Sequence, residues 1–365
     1  MRRHGAGAAA AMGALVAAGV LSSCSNAPAA SSSSTRLAAA HPGALEVSQP
    51  GAQTIDHIVA PAGMKVTLWA VGGGHYSAPD AIDVDGQSVW VGYQNKSVKD
   101  GSDNSIASTV VEYTMHGTVV RTWSVPGHVD GLRVNPQDHR VWVTSNEDAA
   151  PLLNIIDPAS RVVTAYSLQP TVHGGGYDDV EFVGGTAFVA CSNPNLDANG
   201  NNVFPAIDRL TLSGTTATVS PVLMGNATAN DLVAGKPVTL NLTDPDSLTL
   251  DSAGDLVLVS QADSALITIK DPGTPGQSVT RLPIGNQEDD TVWTTAFTGR
   301  LFVVDAGKNA IYTVAWSGPK GTIITEAPND SGVVGFVGTI DASTGFITPL
   351  MTGWIKPTGL AFVPA

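Results

Sequence analysis

Short hydrophobic stretches separated by turn residues repeat along the chain from about residue 55 onward. No stretch of 12 or more residues keeps the apolar period of about 3.6 that marks a helix, so the pattern predicts strands and almost no helix. An opening strand recurs, and further strands follow it within a few residues each time. These opening strands are predicted at 81–86, 131–135, 180–184, 247–251 and 292–295.

The later strands of each unit follow in a regular order. Second strands are predicted at 89–92, 141–144, 187–190, 256–259 and 301–304, third strands at 109–113, 152–156, 206–210, 265–269 and 310–314, and fourth strands at 119–123, 162–167, 216–220 and 279–282. Repeats of roughly 40 to 65 residues with four strands each predict an all-β fold, the β-propeller. A four-stranded sheet cannot cover both of its faces alone, whereas sheets packed around a common axis cover one another.

The two ends of the repeat region predict how the ring closes. A sixth opening strand lies at the C-terminus with nothing after it, and the segment 54–71 contains strands with no opening strand before them. We therefore expect the C-terminal inner strand to join a blade whose outer strands come from the N-terminus, which removes a free sheet edge. This arrangement predicts six blades. Extra material at 315–350 leaves open an elaborated fifth blade or a seventh blade.

The opening strands also resemble a known group of repeats. The segment Pro357-Thr358-Gly359-Leu360-Ala361-Phe362 is the closest match to the repeats of NHL, YVTN and SMP-30/gluconolactonase-like propellers. The resemblance covers nearly all of residues 55–365 and implies the fold. Similarity to the SMP-30/gluconolactonase group further implies a divalent ion in the channel that polarises a lactone or ester carbonyl and activates water. The Glu/Asn/Asn/Asp ligand set of that group is not matched residue by residue in this chain.

Acidic residues precede most of the inner strands, at the end of the channel that these strands enter. The candidate ligands are Asp80, Asp130, Asp179, Asp246 and Asp290. Converging carboxylates repel one another unless a cation or shared protons offset the charge, and Ca²⁺ is the first choice because it prefers oxygen ligands. A borderline transition metal is the second choice. Two other interpretations stay open: structural aspartates that accept backbone N–H groups in turns, and acid–base catalysis.

Three histidines lie two to six residues before these acids. They are His75, His128 and His173, and in a hydrolase they would shuttle the proton. The chain contains no Gly-x-Ser-x-Gly elbow, no His-Glu-x-x-His and no Cys-x-x-Cys, so a serine hydrolase, a zinc protease and a thiol oxidoreductase have no support in the sequence.

Charge and the N-terminus describe the environment of the protein. The net charge of −14 argues against nucleic acid as a partner. Arg2 and Arg3 followed by an apolar run indicate an export signal, and Leu21-Ser22-Ser23-Cys24 resembles the lipobox of bacterial lipoproteins. This predicts a signal peptide at 1–23, a lipidated tether at 24–45 with the lipid on Cys24, and a propeller domain at 46–365. Simple secretion without a lipid is the alternative.

Together these observations predict an exported, extracytoplasmic protein that contacts the membrane only through a lipid anchor. We expect its propeller to bind a small molecule, a glycan or a protein at the channel face, with a divalent cation as a candidate cofactor. A metal-dependent lactonase or esterase of the SMP-30/gluconolactonase kind is the alternative, so the sequence leaves open whether the protein is an enzyme. Cys191 lies in an apolar strand pattern and is predicted to be a buried structural thiol.

Overall fold

A computed structural model describes residues 53–103, 105–329 and 332–365. The predicted signal peptide, Cys24 and the tether lie outside the described residues and stay predictions. The described chain forms six sheets, antiparallel except for one pair of strands in blade 4, and the inner strands of the sheets contact one another in a closed ring. Its only helical element is a short 3-10 turn at Ala306–Lys308, and the described part contains no helix long and apolar enough to cross a membrane. The fold is a six-bladed β-propeller.

Blades 1 to 3 are each built from one continuous segment, as the repeats predict. From the channel outward their strands are Pro79–Asp85, Ser88–Tyr93, Ser108–Thr114 and Val119–Val125 in blade 1, Val129–Val134, Val141–Ser145, Leu152–Asp157 and Val162–Ser167 in blade 2, and Val180–Val183, Thr186–Ala190, Pro205–Ser213 and Thr216–Met224 in blade 3.

Blade 4 carries a hairpin that the repeat pattern does not predict. Its four regular strands are Pro245–Leu250, Leu256–Ser260, Ala265–Lys270 and Ser278–Pro283, and the hairpin strands are Thr228–Asp231 and Lys236–Thr239. The first hairpin strand runs parallel to the outer strand of the blade, and an ion pair of 2.5 Å between Arg281 Nη1 and Asp231 Oδ2 joins them. The hairpin covers the outer edge of the blade.

Blades 5 and 6 are interlocked, which corrects one prediction. Blade 5 consists of Thr291–Trp293, Ile323–Ala327, Phe336–Ile340 and Ile347–Thr352, extended by Ile58–Ala60 and Gln53–Ile55, and blade 6 consists of Pro357–Pro364, Thr298–Asp305, Ala310–Ser317 and Lys65–Val71. The prediction that 301–304 and 310–314 belong to the unit opened at 292–295 is therefore wrong. The strand at Thr298–Asp305 pairs with the long C-terminal strand, while Val292 pairs with Ile324. Thr298–Asp305 thus pairs with a strand of the same length rather than with the strand nearest in sequence. The segment 315–350 completes blade 5.

The predicted ring closure is confirmed. The C-terminal strand is the innermost strand of blade 6, and the N-terminal strand Lys65–Val71 is its outermost strand. Apolar side chains fill the space between neighbouring blades. Trp142 of blade 2, for example, packs edge-on against Phe182 of blade 3 with ring centroids 5.2 Å apart. This packing holds the inner strands, and the acids at their beginnings, in fixed positions around the channel.

Candidate functional site at the channel mouth

A polar cavity of about 300 Å³ lies at the end of the channel where the inner strands begin. All five acids that the sequence singled out line it, namely Asp80, Asp130, Asp179, Asp246 and Asp290. Further acids that the sequence analysis missed also line it, namely Glu147, Asp148, Asp178, Asp244 and Asp289. Lys99, Arg133 and Lys356 are the basic residues in the described lining, so acidic side chains outnumber basic ones by far.

A β-bulge at the start of the inner strand positions three of these acids. In blades 1, 2 and 4 the pairing with the second strand slips between the first and fourth residues of the inner strand. The second residue of each inner strand, which lies within the slip, is Asp80, Asp130 or Asp246. A bulge redirects side chains that a regular pleat would send into the sheet. These carboxylates therefore line the mouth of the channel.

Five of the lining acids form what we call the outer layer of the site, namely Asp80, Asp130, Glu147, Asp178 and Asp246. Glu147 lies at its centre. Its carboxylate forms an ion pair with Lys99 and a hydrogen bond with the side chain of Asp178, and its backbone N–H donates to Asp130 Oδ2 at 3.2 Å. Asp178 in turn is hydrogen-bonded to the side chain of Asp246. Three carboxyl groups, Glu147, Asp178 and Asp246, are thus in contact in a row, and we call them the carboxylate row.

The electrostatics of the outer layer separate its members. Removal from bulk water raises the pKa of Asp130, Asp178 and Asp246 well above the usual range, and neighbouring carboxylates add to the effect. The same cause raises the pKa of Asp80 to about 7. Burial acts in the same direction on Glu147, but the hydrogen bond to Asp178 and the Lys99 ammonium outweigh it and hold its pKa below the usual value. In this row the surroundings favour the ionised form of Glu147 and the protonated form of Asp178.

An inner layer of acids has a different role. Asp179 Oδ1 accepts from its neighbour Val180 N at 2.8 Å, and Oδ2 accepts from Leu248 N of the next blade at 3.1 Å. Asp290 repeats this arrangement with Thr291 N and Leu360 N, and Asp83 does so with Val84 N and Val134 N. Each odd-numbered blade is thereby tied to the blade that follows it.

Arg133 lies among these inner acids. Its guanidinium contacts Asp179 Oδ2 at 3.1 Å and Glu181 Oε2 at 3.0 Å, and it donates to the carbonyl of Leu248 at 2.6 Å. The contacts of Asp179 and Asp290 match the structural role that the sequence left open for these aspartates. A cation at the mouth would have Asp80, Asp130 and the carboxylate row as candidate ligands.

The three predicted histidines lie in different surroundings. His128 is buried beside the outer layer, with Nδ1 2.8 Å from the carbonyl of Ser97 and Nε2 3.5 Å from Asp130 Oδ1. Burial lowers its pKa, which favours a neutral ring. His173 is fully buried, His75 is exposed, and none of the three histidines lines the cavity. The structure brings only His128 into contact with a predicted ligand.

Two signals for the missed residues are visible in the sequence in retrospect. Asp178 directly precedes Asp179 in the sequence. Side chains of consecutive residues in an extended segment point in opposite directions, so one of these acids faces the outer layer and the other faces the inner layer. Glu147 follows the second strand of blade 2, which runs antiparallel to the inner strand and so ends at the same mouth. A search of the segments leaving second strands, as well as those entering inner strands, would have found it.

Comparisons with known proteins give the following result. No protein-family model matches the chain, and no curated protein matches it. Among solved structures, virginiamycin B lyase from Staphylococcus aureus is 12% identical over 83% of this chain and 89% of that chain, with a TM-score of 0.44. A candidate 6-phosphogluconolactonase from Bacteroides uniformis is 11% identical over 77% and 73%, with a TM-score of 0.45, and a candidate gluconolactonase is 14% identical over 84% and 87%, also at 0.45. At these low sequence identities and TM-scores, the similarity to these proteins gives no information about the activity of this chain.

Proposed function

We propose that the protein binds a small, oxygen-rich molecule at the channel mouth together with a divalent cation, Ca²⁺ in the first place. The carboxylate row carries this proposal. Two ionised carboxylates in contact repel each other strongly, so such a row requires protons or a cation. A cation that displaces the protons converts three mutually repelling groups into ligands.

The chemistry of the donors fits Ca²⁺, which takes about six to eight oxygen ligands from carboxylates, amides, carbonyls and water. Asp130 and the carboxylate row supply carboxylates, and the amides of Gln94, Asn193 and Gln261 line the same cavity. Among the described residues, no three of these acids place one oxygen each within 4.8 Å of one another. We therefore expect a cation to draw the side chains together and water or the bound molecule to complete its shell.

The size and wall of the cavity support a small polar ligand. A volume of about 300 Å³ is at the lower end of the range for small-molecule pockets. Its wall carries carboxyl, amide and ammonium groups, which match hydroxyl and carbonyl oxygens better than an apolar molecule. Sugars, sugar acids and lactones are the classes that meet this description.

Calorimetric titration with CaCl₂ tests the cation. We expect binding with release of protons, because the raised pKa values leave protons on the row. Asp178→Asn is expected to weaken Ca²⁺ binding about tenfold or more, since it removes one charged ligand. Asp271→Asn is the matched control, because Asp271 is exposed on a hairpin of blade 4. Equal Ca²⁺ affinity in both variants, or no Ca²⁺ binding by the unaltered protein, contradicts the proposal. A panel of sugars and lactones, with Ca²⁺ or with chelator, then identifies the ligand class.

Acid–base hydrolysis of a lactone or ester is the second candidate function. The observation that favours it is that the pKa values of two carboxyls in contact are shifted in opposite directions, that of Glu147 downward and that of Asp178 upward. Glu147 would take a proton from the water that attacks the carbonyl, and Asp178 would give its proton to the leaving alkoxide. His75, His128 and His173 have no part in this scheme because none of them lines the cavity.

Turnover of a lactone panel tests this second function. Glu147→Gln should lower kcat about 10²- to 10⁴-fold, the usual contribution of a general base, while Asp271→Asn should leave it unchanged. If the unaltered protein binds a ligand but does not turn it over, the hydrolase function is wrong and the binding function remains.

A further inference from the structure

A second cluster of donor groups lies inside blade 3, away from the lining of the mouth. The described part of the chain holds one group of three His, Cys, Asp or Glu side chains whose ligand atoms lie within 4.8 Å of one another, and it consists of His173, Cys191 and Asp208. All three are buried, with exposed fractions of 0%, 0% and 2%. His173 lies in the loop before blade 3, Cys191 directly follows the second strand of that blade, and Asp208 lies on its third strand.

The hydrogen bonds of His173 leave one ring nitrogen with a free lone pair that could bind a metal. Its Nε2 lies 2.6 Å from the carbonyl oxygen of Gly176, so Nε2 carries the hydrogen and donates it. Nδ1 then has a lone pair, and it has no hydrogen-bond partner among the described residues. Burial lowers the pKa of this imidazole, in keeping with a neutral ring. A buried nitrogen lone pair without a partner is costly unless something binds it.

Asp208 presents a comparable free atom. Its Oδ2 accepts a hydrogen bond of 2.9 Å from the hydroxyl of Tyr177, and Oδ1 has no partner among the described residues. The Cys191 thiol is hydrogen-bonded to the same carboxylate, and its proton would leave on metal binding. Metal-bound histidines and carboxylates in proteins usually hold a second hydrogen bond that fixes their orientation. His173 with Gly176, and Asp208 with Tyr177, already have such bonds.

We propose that His173 Nδ1, Cys191 Sγ and Asp208 Oδ1 bind a transition-metal ion, with Zn²⁺ as the expected ion. Mixed nitrogen, sulfur and oxygen donors suit Zn²⁺ and exclude the hard cation proposed for the mouth. A tetrahedral Zn²⁺ site needs ligand atoms about 3.3–3.8 Å apart, so the three side chains, whose ligand atoms lie within 4.8 Å of one another, close in by at most about 1.5 Å on binding. The thiol proton leaves when the ion binds, and water or a carbonyl fills the fourth position.

The ion would anchor the loop that carries a member of the carboxylate row. His173, Gly176 and Tyr177 directly precede Asp178, which lies in the mouth. A metal that binds His173 therefore ties this loop to blade 3 and holds Asp178 in place. Because the ligands are buried, the ion must enter while the chain folds.

Refolding with Co²⁺, a spectroscopic substitute for Zn²⁺, tests the site. The full chain with Cys24→Ser has Cys191 as its sole thiol, so a thiolate-to-cobalt absorption band in this variant reports Cys191 without any change in the core. We expect one Co²⁺ per chain, the absorption band, and loss of the band when Zn²⁺ is present together with Co²⁺ during refolding. Absence of bound Co²⁺ or of the band overturns the proposal.

Further variants assign the other groups. Cys191→Ala is expected to abolish the band, and Tyr177→Phe to weaken Co²⁺ binding about 10- to 100-fold through loss of the bond to Asp208. Asp178→Asn and Asp271→Asn should keep the band, which separates this site from the mouth. A band that persists in Cys191→Ala contradicts the assignment. If Cys191→Ala does not fold, the Cys24→Ser spectrum still decides.

Discussion

At the scale of single residues, a buried carboxylate in this ring has one of two roles, set by what its oxygens accept. Both carboxylate oxygens of Asp290 accept hydrogen bonds from backbone N–H groups of two blades, whereas Asp178 contacts two other carboxyls. The first arrangement stabilises the ring, and the second stores charge repulsion that a bound ion or proton relieves. Residue type alone does not distinguish them.

Asp290→Asn tests the structural role. The amide keeps one acceptor oxygen, so one of the N–H groups of Thr291 and Leu360 faces an NH₂ group and loses its partner. We expect the free energy of unfolding to fall by about 1–3 kcal/mol, the cost of one buried unsatisfied donor. Denaturant titration measures it, with Asp271→Asn as the control. A cost no larger than that of the control would show that Asp290 does not tie blade 5 to blade 6.

At the scale of elements, strand order and strand pairing are separate problems. Thr298–Asp305 follows Thr291–Trp293 after four residues, yet it pairs with Pro357–Pro364 because that partner matches its length of eight residues. The interlocking has a consequence for stability. Blade 6 is complete only when the C-terminal strand Pro357–Pro364 is in place, whereas the strands of blade 5 end at Ile347–Thr352.

The outer strand Lys65–Val71 closes blade 6, and its removal provides a test. Trp69 on this strand packs edge-on against Phe302 at 5.1 Å and donates a hydrogen bond to the carbonyl of Met115. Deletion of residues 1–72 removes this strand together with the two strands that extend blade 5, and so exposes the edges of Ala310–Ser317 and Ile347–Thr352. We expect a lower Tm and aggregation. Deletion of 1–45, the predicted signal and tether, is the control. Similar Tm and solubility for the two truncated chains would contradict this account of closure.

At the scale of the whole molecule, the channel holds buried acids close together, which disfavours their charged forms. Burial raises the pKa of Asp80, Glu181 and Asp290 to about 7 in each case. The folded protein therefore holds protons that the unfolded chain releases at about pH 4. Folding and proton uptake are linked through these groups.

The sign of the pH dependence follows from this linkage. Between about pH 4 and pH 7 the folded state binds more protons, so these three groups stabilise it fully at the low end and lose that contribution as the pH rises through 7. In chelator we expect Tm to fall across this interval, and Ca²⁺ to restore it most at the upper end, where the acids are ionised. Thermal scans at several pH values measure both effects. A Tm that rises steadily from pH 4 to pH 7 in chelator would contradict the prediction.

Most of the architecture was predictable from local patterns, and part of the site was not. Alternation of apolar residues and turn signals reports on neighbours within a strand or hairpin, so the repeats, the six blades, the head-to-tail closure and the acids at the inner strands follow from the residues alone. Pairing partners far apart in sequence, such as Thr298–Asp305 with the C-terminus, depend on matched lengths and burial in three dimensions. The division of the acids into two layers depends on bulges and on the strand twist that local patterns do not record. Glu147 and the cluster of His173, Cys191 and Asp208 come together only because separate strands and loops end at the same place.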